Sequence, residues 1–80
     1  MSIRTTLKEV RLENAENAKA LVRLSLIDNY YTVYLKAYDY HDTVRDCYEF
    51  DDLEDALQFL HNCVINMEEN GYEIFAQVCY

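Results

Sequence analysis

The run YDYHDTVRDCYEFDDLED, residues 38–55, gathers eight acids, a histidine, a cysteine and four aromatics into eighteen positions. Three kinds of chemistry use such residues. His41 with Asp39, Asp42 and Asp46 could ligate a metal, and His61 with Cys63 is the next candidate. Zinc sites, however, favour tightly paired ligands, and calcium loops need spaced Asp or Asn with an internal glycine. Neither pattern occurs, so no metal is expected. Covalent catalysis requires a cysteine and a histidine that meet, yet His61 and Cys63 stand two apart on a helix and point in different directions. Acid–base catalysis requires a carboxyl in a desolvated pocket, which so short a chain does not promise. The single glycine, Gly71, excludes a phosphate-cradling loop. The sequence predicts a protein that is not an enzyme and carries no cofactor.

What remains for these acids is a surface. Residues 1–38 hold six cations against four acids, residues 39–55 hold Arg45 against eight acids, and the remainder adds three glutamates, giving the net charge of −8. Negative charge is thus concentrated at Asp39, Asp42, Asp46, Glu49, Asp51, Asp52, Glu54 and Asp55. Such a run repels phosphates, so no direct contact with nucleic acid is expected. It attracts a basic partner by steering encounter and orientation. Turns and helix starts also favour Asp for local reasons, which could account for Asp42, Asp51, Asp52 and Asp55 without any partner.

The elements that position these residues can be read from periodicity. Eighty residues make one domain that buries about 60% of its unfolded surface. Leu53, Ala56, Leu57, Leu60, Val64 and Met67 repeat every three or four positions, predicting a helix over 52–70. Asp51 can cap it, Glu54 standing three on as in a capping box, and Asn70-Gly71 ends it. Alternation in ALVRLSLID and YTVYLKAYDY predicts a β-hairpin over 20–40, turning near Asn29. Further strands are expected over 44–50 and 72–79, the last with Ile74, Ala76 and Val78 on one face. The first nineteen residues fit a helix or an edge strand equally well, because Thr6 and Glu9 resemble a capping box while LKEVRL alternates. The fold class is α+β, an antiparallel sheet of about four strands packed on one main helix.

In that arrangement Val33, Leu35 and Ala37 face the helix, and Tyr34, Tyr38 and Tyr40 lie on the other side, where Phe75 could stand beside them. Tyrosine is enriched at protein interfaces, so this face is a second candidate for partner binding. The N-terminal segment or a second copy of the chain, in a homodimer, could cover it instead.

A short acidic domain that runs LVRLSLIDNYYTVYLKAY, then YEFDDLEDALQFL, resembles in outline small phage-encoded inhibitors, including some anti-CRISPR proteins and DNA mimics. The resemblance spans about residues 20–80 and concerns architecture alone. It implies an inhibitor whose acids from Asp39 to Asp55 compete with phosphates for the arginines and lysines of a nucleic-acid-binding host complex. The opening MSIRTTLKEV has no apolar run, no stretch is long enough to cross a membrane, and Cys47, Cys63 and Cys79 lack Cys-x-x-Cys spacing. Together these predict a cytoplasmic protein with reduced thiols.

Overall fold

The computed structural model describes residues 4–39 and 42–79. Five strands form one antiparallel sheet: β1 (Arg4–Glu13), β2 (Lys19–Ile27), β3 (Tyr30–Tyr38), β4 (Thr43–Phe50) and β5 (Glu73–Cys79). Between β4 and β5 lies the single helix α1 (Leu53–Glu69). The sheet order is β4-β3-β2-β1-β5, so the first four strands form a meander and β5 returns beside β1. The helix must therefore carry the chain from one sheet edge to the other. Four strand spacings span about 19 Å, and seventeen helical residues extend about 26 Å.

Each connection is set by local chemistry. Asp28 and Asn29 both adopt positive φ, 50° and 71°, as a two-residue type I′ hairpin turn requires. Asn14 organises the β1–β2 turn, its Oδ1 accepting from the N–H groups of Glu16 at 2.9 Å and Ala18 at 3.0 Å. Asn17 supplies the left-handed residue there, at φ 66°. The helix cap is Asp52 rather than the expected Asp51: its Oδ1 accepts from the Glu54 N–H at 3.2 Å. At the other end the Gly71 N–H donates to the Glu68 carbonyl and the Tyr72 N–H to that of Met67. This is a Schellman motif, and Gly71 at φ 94° takes the position that disfavours any Cβ.

The core lies between the helix and one sheet face. Val10 and Leu12 of β1, Ala20, Val22 and Leu24 of β2 and Val33 of β3 meet Ala56, Leu60 and Val64 of the helix, all buried. Phe59 adds an aromatic contact to β4, its ring 4.8 Å from that of Tyr48 and 5.3 Å from that of Phe50.

Two expectations change. The N-terminal segment is neither a helix nor an edge strand, because β1 pairs with β2 on one side and β5 on the other. Its buried Val10 and Leu12 make a central strand of it, and the sheet has five strands rather than four. In β5 the expected shared face of Ile74, Ala76 and Val78 is broken at Phe75. Ile74 pairs with Leu12 on the helix side, whereas Ala76 pairs with Arg11 and Val78 with Glu9 on the other. One extra residue shifts the alternation by one place. Among the described residues no helix is long and apolar enough to cross a membrane.

Candidate binding surfaces

Cross-strand register assigns every strand side chain to one face. Opposite the helix stand Arg4 beside Ile27, Glu9 beside Arg23, Arg11 beside Leu21 and Glu13 beside Lys19. The same rows continue through Tyr34 and Cys47, Lys36 and Arg45, and Tyr38 and Thr43. Six of the seven lysines and arginines thus collect on this face, with Glu9, Glu13, Glu49 and Glu73 as its acids. The other eleven acids lie in turns, on the helix side of β4 and on the helix, accompanied by Lys8 alone. The protein is acidic as a whole and basic on one face.

No described element covers that face, because β1, the available covering segment, is inside the sheet. Its centre is nevertheless ordered by side chains. Glu9, 8% exposed, accepts from Arg23 Nε at 3.0 Å through Oε1 and from Arg11 Nε at 3.2 Å through Oε2. The Arg23 guanidinium lies 5.8 Å from the Tyr34 ring centroid, and the Lys36 ammonium 5.1 Å from that of Tyr38. Both distances are within reach of a cation–π attraction. Ser25 and Thr32 pair directly across β2 and β3 and are buried between these longer chains. They sit in a hollow of about 370 Å³ that Arg4, Arg23, Tyr34 and Lys36 also line. A second hollow, of about 350 Å³, shares Leu21 and Lys36 with the first and extends to Arg11, Tyr38 and Phe75. Phe75, at the β5 bulge, is 51% exposed.

The acids predicted to bind a partner lie along the β4 edge, but not as one cluster. Asp39 and Asp42 form the turn before β4, where Asp39 Oδ1 accepts from the Asp42 N–H at 2.9 Å. Asp51, Asp52, Glu54 and Asp55 lie past its other end, beyond a strand length of about 23 Å. Between them Asp46 pairs with Leu35 on the helix side, whereas Glu49 pairs with Thr32 on the open face. Asp42, Asp46, Glu49, Asp51, Asp52, Glu54 and Asp55 are exposed, and among the described residues none of them forms a salt bridge. Tyr34 and Tyr38 do share the open face, as expected, but with arginines and lysines and not with the main run of acids. Tyr40 and His41 lie outside the described residues.

Among the described residues no three His, Cys, Asp or Glu side chains converge as ligands. Cys63 lies half-buried on the helix, and burial pushes its thiol above the ordinary range, which disfavours the nucleophilic thiolate.

The open-face cations are the functional candidates that sequence reasoning passed over. Part of the signal was present, since Arg23 and Lys36 occupy the polar phase of β2 and β3. Arg4 and Arg11 could not be added while β1 had no strand assignment. Comparison with known protein families, characterised proteins and solved structures yields no match to this chain. The geometry of its two surfaces therefore carries the functional argument.

Proposed function

We propose that this protein is a non-enzymatic binding module that docks the acidic β4–helix edge against a basic protein surface, of the kind that binds nucleic acid. The observation that carries this reading is the length and charge of the edge. Strand β4 and the first helical turn extend about 28 Å and hold six acids, with Asp39 and Asp42 in the turn before them. That is about one charge per 4.7 Å, sparser than the ~3.4 Å spacing of phosphates along one nucleic-acid strand, so the edge offers an acidic rim and not a phosphate replica. Seven of these acids have no internal countercharge among the described residues, so a partner's lysines and arginines would not have to displace an existing pair. Inhibition of a phage-defence complex through such an edge is the form that agrees with the likeness to small phage inhibitors.

The test compares the wild type with the triple variant Asp46→Asn, Glu49→Gln, Asp52→Asn in affinity capture from lysate of the source cell. Asn at position 52 retains the capping oxygen, so the helix start is preserved. A nucleic-acid-binding protein held by the wild type, released by salt or an added oligonucleotide and lost with the variant, supports the reading. Capture that is indifferent to the three substitutions and to salt refutes it.

A second reading is self-association, favoured by the free edge of β5. Ile74, Phe75 and Val78 are 39%, 51% and 42% exposed beside unpaired backbone groups, a common template for pairing. Light scattering across a concentration series would reveal it as a rise in mass, and Tyr34→Ala would reduce that rise if the sheet face takes part.

A further inference from the structure

We propose that the open sheet face binds single-stranded nucleic acid, with Arg4, Lys36 and Arg45 holding phosphates and Tyr38 and Phe75 stacking bases. The inference rests on a different surface from the acidic edge and does not require it. The two hollows share Leu21 and Lys36 and form one groove across β2 and β3. Between the Ser25 and Lys19 rows the groove runs about 20 Å, enough for on the order of four nucleotides, the lower end of single-strand site sizes. Each hollow has the volume of a small-ligand site.

Its lining alternates the two groups that a single strand needs. Cations track the backbone, and exposed rings offer a stacking surface to any base. Along β3 the open-face positions read Tyr30, Thr32, Tyr34, Lys36 and Tyr38, and Phe75 enters from the β5 bulge. An acidic peptide would use the cations but would have no need of rings at this spacing. Charge complementarity points the same way. Arg11 and Arg23 are partly neutralised by Glu9, but Arg4, Lys19, Lys36 and Arg45 form no ion pair among the described residues.

The net charge of −8 does not oppose this, because screening acts over about 8 Å at physiological salt. Most acids lie beyond the sheet, on its helix side or at its edge. A flexible strand can remain in the groove. A rigid duplex, with charge on both strands, would bring phosphates towards the acidic β4 edge and bind less well.

The experiment is fluorescence anisotropy of the full chain with labelled oligo-dT and oligo-rU of about twelve nucleotides, the length chosen to exceed the site. Three phosphate contacts give a slope of about −2.1 in log affinity against log salt, roughly a 20-fold loss between about 50 and 200 mM. Tyr38→Ala and Phe75→Ala should each weaken binding about fivefold or more, with thermal unfolding unchanged because both side chains are exposed. Glu68→Gln with Glu69→Gln, exposed on the helix away from the groove, should leave affinity unchanged or raise it. The proposal is overturned by no anisotropy change at about 100 µM protein in low salt, where nonspecific contacts alone are strongest. It is equally overturned by a duplex that binds as tightly, or by an oligo-glutamate peptide that competes while both ring substitutions are silent, which would make the face an acidic-protein site.

Discussion

Glu9 should be the most sensitive charged residue in the molecule, and Glu9→Gln measures how sensitive. Its carboxylate is buried on the sheet face that no described element covers, held by Arg23 at 3.0 Å and Arg11 at 3.2 Å. Gln keeps the shape but turns an N–H donor towards one guanidinium and removes the carboxylate bonded to both. The gross attraction of one such pair is about 4 kcal/mol at an effective dielectric of 20. Most of that is offset by desolvation and by solvent reaching the arginines, whose side chains are 22% and 55% exposed for Arg23 and Arg11. A net loss of about 1.5 kcal/mol remains, between the values for exposed and fully buried pairs. For a domain of this size that lowers Tm by about 6–12 °C. Calorimetry of Glu9→Gln, Arg23→Gln and Arg11→Gln should rank the losses in that order, following burial. The loss for Glu9→Gln should persist in high salt, since buried pairs are poorly screened. A shift below about 2 °C, or an Arg11→Gln loss equal to that of Glu9→Gln, would refute the claim that this network organises the face.

Three further outcomes follow from the packing. Leu60→Ala removes a helix side chain that is 2% exposed and should cost about 3 kcal/mol, read as a urea midpoint lower by about 2 M or more. Asn29→Gly relieves a side chain held at φ 71° in a turn that prefers Asn-Gly and should raise stability by about 0.5 kcal/mol, seen as a higher Tm. Cys63, its thiol raised by burial, should react with a thiol reagent more slowly than the exposed Cys47 at mildly alkaline pH. Because its folded pKa lies above its unfolded one, its contribution to stability is complete below the ordinary thiol range and is lost as pH rises through the folded value, so alkaline urea titrations should show a falling midpoint that Cys63→Ala removes.

The helix was legible in the sequence because its signals are local. The stripe from Ala56 through Leu60 to Val64, the Asp at its start and Asn70-Gly71 at its end all act within a few turns, and the observed Leu53–Glu69 follows them closely. The β2–β3 hairpin was legible for the same reason: alternation on both sides of Asp28-Asn29 fixes which side chains share a face. The acids and tyrosines of the candidate surfaces could likewise be named, though not how they combine.

What only the tertiary structure decided is the position and phase of strands that have no local signature. LKEVRL becomes a central strand because β5, some sixty residues later, pairs with it after the helix has crossed the sheet. The bulge at Phe75 then moves Ala76 and Val78 to the face opposite the one their alternation predicts. Face membership depends on register between distant segments, and a shift of one residue reverses it. Linear charge counting therefore found an acidic chain, whereas folding gathered Arg4, Arg11, Lys19, Arg23, Lys36 and Arg45 onto one surface, since only pairing in space brings residues so far apart in sequence side by side.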